Sequence, residues 1–133
     1  MLTRAVFEGI NCTLAVERPA PGVVVVVIAG PDVGEHGREP FRELAKDLER
    51  GPFQLFIDAQ NTRGASIDVS NDWAQWLREH RDEFHRVHML TATRFVQLTA
   101  DFVRRFAGLG DKMRIYTDRE AFDEALTAAA ARH

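Results

Sequence analysis

The feature that most constrains this chain is the apolar run Val23–Ala29, with the sequence VVVVVIA. Five consecutive valines do not alternate with polar residues, which predicts a strand that is buried on both faces. The run is far shorter than the roughly 20 apolar residues that a membrane-spanning helix needs. We therefore expect a sheet flanked by helices, with this strand in its interior.

The segments around this strand predict one α/β unit. The preceding segment NCTLAVE forms a second strand, joined to the first by a turn with Pro19, Pro21 and Gly22. Strands and amphipathic helices then alternate to the end of the chain, in the order REPFRELAKDLER, FQLFIDA, NDWAQWLREHRDEF, RVHMLTA, TRFVQLTADFVRRFAG, KMRIYT and a final helix that starts at TDRE. The predicted order is ββαβαβαβα, a single domain over residues 1–133. Its sheet is mixed and mainly parallel, with an N-terminal hairpin.

Helical spacing also predicts which side chains face the sheet. In the second predicted helix the inner residues are Trp73, Trp76, Leu77 and His80. In the third they are Phe95, Leu98, Phe102 and Phe106. Both sets are expected in the core.

Composition and charge exclude several classes of partner. The formal net charge is −3 and the pI about 5.9, so no basic excess attracts nucleic acid or an anionic membrane. The single cysteine, Cys12, cannot form an intramolecular disulfide. The first residues, MLTRAVFEGINC, lack the continuous apolar segment of a signal peptide. These observations predict a cytoplasmic protein without a membrane span.

Three segments resemble the STAS domains of the anti-sigma-factor-antagonist type, in particular their SpoIIAA-like branch. They are FQLFIDA, which ends close to Asp58, then HRVHMLTATRFVQLTADFVRRF, and DKMRIYTDREAFDEAL. The resemblance covers nearly the whole chain as an order of elements. It implies a SpoIIAA-like fold and a regulatory function exerted by binding an as yet unknown protein.

The phosphorylation motif of that family is not intact here. Switched antagonists carry an Asp-Ser-Ser-Gly-type sequence where the second helix starts, whereas this chain has GASIDVSND. We expect Ser70 to act as the N-cap of the helix that begins at Asn71, because its hydroxyl oxygen can accept a hydrogen bond from a free N–H of the first turn. A phosphate on Ser70 would be repelled by Asp68 and Asp72, and Ser66 lies in a more favourable setting close to Arg63. The candidate phospho-acceptor or partner-contact loop comprises Asp58, Arg63, Ser66, Asp68 and Ser70.

Two other classes of function stay open at this point. A small-molecule or lipid carrier would have an apolar pocket between sheet and helices, lined by Trp73, Trp76, Phe95 and Phe102. It would need a cavity of roughly several hundred Å³, whereas a binding module predicts an exposed 62–72 loop without one. An enzyme would have acid–base groups in a cleft, for which the candidates near strand ends are Asp32, Glu35, His36 and Asp58. No nucleophile with an evident base accompanies them, so no catalytic residue is predicted.

Three of the five histidines, His80, His85 and His88, are spaced five and three residues apart. This spacing differs from the i, i+4 pairs of helical metal sites, and no cysteine pair supports them. The sequence therefore predicts no metal site and no cofactor. Self-association through the valine-rich edge or the helices is left open.

Overall fold

A six-stranded mixed sheet lies at the centre of the computed structural model, which describes residues 3–132. The strands are β1 Thr3–Glu8, β2 Thr13–Ala20, β3 Val23–Ala29, β4 Phe53–Asn61, β5 Phe84–Thr91 and β6 Met113–Tyr116. The helices are α1 Glu39–Leu48, α2 Ile67–Glu79, α3 Arg94–Phe106 and α4 Arg119–Ala130. Among residues 3–132, no helix is both long and apolar enough to cross a membrane.

The strands lie in the sheet in the same order as in the chain. β1, β2 and β3 pair antiparallel, and β3 to β6 pair parallel. This confirms the predicted fold class, a mixed α/β sheet with an antiparallel N-terminal edge. The predicted order lacked one strand, β1. That strand is half-exposed at the sheet edge and therefore has no strongly apolar run to mark it.

The valine-rich strand is buried on both faces, as its sequence predicts. Val24 and Val26 join the larger core, which lies under α1, α2 and α3. Val23 and Val25 join a second core on the other face, which is covered by α4. The connections between the parallel strands β3 to β6 are right-handed crossovers and place α1, α2 and α3 on one face of the sheet. The opposite face is covered by α4 alone among the helices.

Helix α2 begins four residues earlier than predicted. Its N-cap is Ser66, whose hydroxyl accepts a hydrogen bond from the Val69 N–H at 3.2 Å. The Ser70 N–H donates to the Ser66 carbonyl at 3.0 Å, so Ser70 lies inside the first turn. The prediction that Ser70 is the cap was therefore wrong. A tertiary contact sets the start, because the Ser66 N–H donates to the Asp32 carbonyl at 2.9 Å.

Helix α3 presents a different face to the sheet from the one its large residues predict. Its buried residues are the smaller Val96, Ala100 and Val103. The four predicted inner residues are exposed instead, with fractions of 61% for Phe95, 54% for Leu98, 38% for Phe102 and 41% for Phe106. The small residues let α3 approach the sheet and α2 closely. Relative to the predicted orientation, α3 is therefore rotated about its own axis by about one residue, or roughly 100°.

Replacing each of the two serines separately tests the observed start of α2. Ser66→Ala is expected to lower the free energy of unfolding by about 1 kcal/mol, because the Val69 N–H loses its cap. Ser70→Ala is the matched control and should change it by less than about 0.5 kcal/mol. Urea denaturation followed by circular dichroism measures both. A larger loss in Ser70→Ala than in Ser66→Ala would contradict the assignment.

Candidate functional site

The segment that joins β4 to α2, residues 62–66, is held firmly to the end of β3. The Asp32 N–H donates to the Gly64 carbonyl at 3.0 Å, and Asp32 and Ala65 form an isolated parallel bridge. The buried Thr62 hydroxyl donates to the Gly30 carbonyl at 2.6 Å. These bonds cross between two neighbouring parallel strands at their carboxyl ends. The 62–66 loop is therefore a rigid platform for the first turn of α2.

The 62–66 loop and the first turn of α2 present three exposed side chains, those of Arg63, Ile67 and Asp68. Ile67 is 80% exposed, although an isoleucine usually lies in a core. Ser66 is half-buried, and its hydroxyl is engaged as the helix cap. Ser70 is also half-buried and faces a small cavity below the helix. The predicted contact loop thus has an exposed apolar residue, Ile67, that the sequence analysis did not select.

Asp58, the remaining member of the predicted loop, lies on the other face of the sheet. Its carboxylate pairs with Arg119 at the start of α4, and this hydrogen bond raises the pKa of Arg119. The Arg119 Nε–H also donates to the Gln60 side chain at 2.7 Å. Neighbours Ile57 and Ala59 line the cavity on the α2 side, so strand alternation turns Asp58 away from it. Asp58 therefore lies on the opposite face of the sheet from the exposed residues at the start of α2.

The predicted aromatic pocket does not form. The cavity between α2, α3 and the sheet has a volume of about 60 Å³ and is lined in part by Trp73. Trp76 packs away from it, stacked on Phe41 with ring centroids 5.5 Å apart. Phe95 and Phe102 point outward. Ligand pockets are usually about 300–1,000 Å³, so this cavity is too small for a carrier of drug-sized molecules.

The acidic and histidine residues after β3 are used to hold the fold together. The Glu35 carboxylate accepts the N–H groups of Ile10, Asn11 and Cys12 at 2.8, 2.9 and 2.9 Å. The His36 Nε2–H donates to the Cys12 carbonyl at 2.9 Å. Together these bonds fasten the β1–β2 turn to the β3–α1 loop. The predicted polar rim is therefore not a cluster of free acid–base groups, and Asp58 is on the opposite face.

Cys12 lies beneath this turn and is fully buried. The pKa of its thiol is raised to about 11, mainly by burial and in smaller part by the negative charges of Asp32 and Glu35. A thiolate is the reactive form of cysteine, so Cys12 is unreactive at neutral pH. It acts as an apolar core residue.

A buried polar network around His88 was not predicted. His88 Nε2–H donates to the Gln54 side-chain oxygen at 2.9 Å, and its Nδ1 accepts from the Tyr116 hydroxyl at 2.9 Å. The imidazole stacks on Phe56, with ring centroids 4.0 Å apart. The partners come from β4 and β6, the strands on either side of β5, so no local pattern could reveal them. The one available signal was a histidine inside an otherwise apolar strand.

The surroundings of His88 hold it neutral. The pKa of His88 is lowered to about 4, mainly by burial and in smaller part by the positive charges of Arg86 and Arg114. An unfolded chain, with the ordinary pKa of 6.5, therefore binds this proton at a higher pH than the folded chain does. The contribution of His88 to stability is complete above pH 6.5 and is lost as the pH falls towards about 4.

This linkage predicts a difference between two histidine variants. His88→Leu should lower the free energy of unfolding by about 1–3 kcal/mol at neutral pH, because Gln54 and Tyr116 lose their partner. It should also lose less stability than the wild type between about pH 7 and pH 5. His85→Leu, exposed on the same strand, is the control and should keep the wild-type dependence. Urea denaturation at pH 7 and pH 5 measures the loss of stability in the wild type and in both variants. An equal loss in all three proteins would contradict the linkage.

Comparison with known proteins identifies the fold. No protein-family model and no curated protein matches the sequence. A solved structure of an uncharacterised DUF3478-family protein with a SpoIIAA-like fold, from Shewanella loihica PV-4, is 15% identical with a TM-score of 0.57, and the match covers 94% of this chain and 93% of that one. Phosphorylated SpoIIAA, a cell fate determinant of Bacillus, is 20% identical with a TM-score of 0.54 over 84% of this chain and 98% of its own. The anti-sigma factor antagonist SpoIIAA in its unphosphorylated form is 19% identical with a TM-score of 0.51 over 84% and 95%.

These matches span almost all of each neighbour, and they share one architecture. The chain thus has the α/β fold of these structures. More specifically, its fold is SpoIIAA-like, as the resemblance of its strands and helices predicted. At these identities the likeness establishes the fold, and a function has to be argued from the site.

Proposed function

We propose that this chain is a non-catalytic regulatory domain that binds a protein partner through the N-terminal end of α2. The contact surface comprises Arg63, Ser66, Ile67 and Asp68. The predicted cytoplasmic location and the single domain over residues 1–133 are part of this proposal. A structural neighbour, SpoIIAA, is an anti-sigma factor antagonist, which supports regulation by protein binding.

The observation that carries the proposal is the position of Ile67. Single exposed apolar residues are common on protein surfaces, so the exposure of Ile67 is informative only together with its position. Ile67 is 80% exposed and lies in the first turn of α2. The N-cap of this helix, Ser66, is fixed by its hydrogen bond to the Asp32 carbonyl. A partner that buries Ile67 would therefore order little additional chain, which favours affinity.

Within this proposal, Ser66 is a better phospho-acceptor than Ser70. Ser66 is the N-cap, and a phosphate there would meet the free N–H groups and the positive end of the helix dipole. Ser70 faces the small cavity from inside the first turn, where a phosphate has no room. The structural neighbour SpoIIAA exists in phosphorylated and unphosphorylated forms. Because this chain lacks the Asp-Ser-Ser-Gly-type motif, we propose partner binding as the function and phosphorylation only as its modulation.

The carrier alternative gains no comparable support. Its four aromatic residues do not surround a common space, and the cavity beside Trp73 is about 60 Å³. The enzyme alternative gains no support either. Glu35 and His36 are engaged in hydrogen bonds to the β1–β2 turn, and Asp58 lies on the opposite face of the sheet.

Site-specific photo-crosslinking tests the proposed contact. A benzophenone amino acid at position 67 should give discrete protein adducts when the chain is expressed in its native cells, because this side chain enters the interface. The same probe at position 124, which is exposed on α4, is the control. The additional substitution Asp68→Lys should weaken the adducts formed from position 67, because Asp68 belongs to the same contact surface. Equal adduct patterns from positions 67 and 124, or no adduct from 67, would contradict the proposal.

A further inference from the structure

The outer face of α3 carries a continuous apolar stripe that nothing in the fold covers among residues 3–132. Its members are Phe95, Leu98, Phe102 and Phe106, which are 61%, 54%, 38% and 41% exposed. Spacings of three, four and four residues place them on one side of the helix, over three turns. The stripe is about 16 Å long at 1.5 Å per residue. We call it the α3 stripe.

The α3 stripe is continuous with the 62–66 loop. The Phe95 ring lies so close to Gly64 that a Cβ atom at Gly64 would come within 2.9 Å of it. At the other end, the Phe102 and Phe106 rings lie 5.8 Å apart between centroids. Contiguous apolar patches of this kind, unlike scattered single residues, mark interaction surfaces.

Arginine side chains surround the stripe. Arg94 and Arg105 are exposed along one border of α3, and the Arg78 guanidinium of α2 lies 5.4 Å from the centroid of the Phe106 ring. Arg63 is exposed in the 62–66 loop, next to Gly64. The surface around the stripe is thus basic, although the chain as a whole has a net charge of −3.

Acidic side chains neutralise only part of this border. The sequence of α3 contains three arginines and one carboxylate, Asp101, which pairs with Arg104 at 2.7 Å and Arg105 at 3.3 Å. On α2, Ser70 faces the cavity beside α3, and helical spacing places Asp68 and Asp72 on the opposite side of the helix from Ser70. An occupant of the stripe therefore meets an excess of positive charge.

We propose that the α3 stripe binds an acidic amphipathic α-helix of a partner protein. The inference rests on the proposed protein-binding function and names the partner's chemistry. Apolar residues at i, i+3, i+7 and i+11 can receive the corresponding residues of a facing helix. Glutamate or aspartate on the flanks of that helix would pair with Arg94, Arg105 and Arg78, whose planar guanidinium groups bind carboxylates in a bidentate manner.

The charges disfavour a second copy of this chain as the occupant. If a second copy packed antiparallel on the stripe, Arg94 of one copy would lie near Arg105 of the other, which is a repulsive arrangement. The regular helical spacing of the four apolar residues favours a facing helix over a membrane surface. An anionic membrane would meet the same arginines, so vesicle binding is a separate outcome of the test.

Two designed peptides of about 18 residues, or about five helical turns, test the proposal. Both carry leucine and phenylalanine at the stripe spacing; one has glutamate on its flanks and the other lysine. NMR titration of the isotope-labelled full chain should show binding of the glutamate peptide, with shifts concentrated on α3. The lysine peptide should bind at least about tenfold more weakly, a difference of about 1.4 kcal/mol. The preference should diminish as salt rises from about 0.05 M to about 0.5 M.

Variants separate the apolar and the electrostatic parts. Leu98→Asp is expected to weaken binding of the glutamate peptide about tenfold or more. The double variant Arg94→Glu with Arg105→Glu should reverse the preference in favour of the lysine peptide. Arg42→Glu, on the exposed side of α1, is the matched control and should leave both titrations unchanged. Unchanged thermal unfolding of each variant shows that the effects arise at the surface.

Several results would overturn the inference. They are equal binding of both peptides, shifts that map away from α3, or no binding at all. Another such result is that the chain sediments with vesicles of phosphatidylglycerol and phosphatidylcholine in equal amounts and that Leu98→Asp abolishes this. The occupant of the stripe would then be a membrane. A dimer that dissociates in Leu98→Asp would identify a second copy. If position 67 still gives protein adducts while the peptides fail, the proposed function stands and only this inference fails.

Discussion

Burial of the central strands on both faces is the constraint on which the rest of this structure depends. Val24 and Val26 need cover from one side, and Val23 and Val25 need it from the other. The crossovers between parallel strands supply α1, α2 and α3 on the first side. The second side is covered by α4 alone, whose Phe122 packs on Phe56 in an edge contact with centroids 5.6 Å apart.

The functional surface follows from the same arrangement. Parallel neighbours β3 and β4 end at one edge of the sheet, so Asp32 and the 62–66 loop come together and set where α2 begins. The close packing of α3 through Val96, Ala100 and Val103 then leaves its larger residues in solvent. A rigid helix start with an exposed isoleucine and an apolar stripe beside it are both results of how tightly the helices pack on one face.

Much of the fold could be predicted, because it depends on patterns that are local in sequence. The valine run, the Pro-Gly turn and the alternation of strands with amphipathic helices all correspond to observed elements. The edge strand β1 was missed since a half-exposed strand has little apolar signal. Of the predicted contact loop, Arg63 and Asp68 are exposed at the start of α2, whereas Asp58 lies on the opposite face of the sheet.

What the sequence determined by itself is the kind and order of the elements, since hydrophobic periodicity and turn residues act over a few residues. Only the tertiary structure decided which serine caps α2, which of two apolar stripes of α3 faces the core, and that His88 joins Gln54 and Tyr116. Periodicity gives the repeat of a helix but leaves its rotation open when two faces are apolar. The rotation is set by the volumes that fit between the helix and the sheet, and the caps and buried polar partners are set by contacts between residues far apart in the chain.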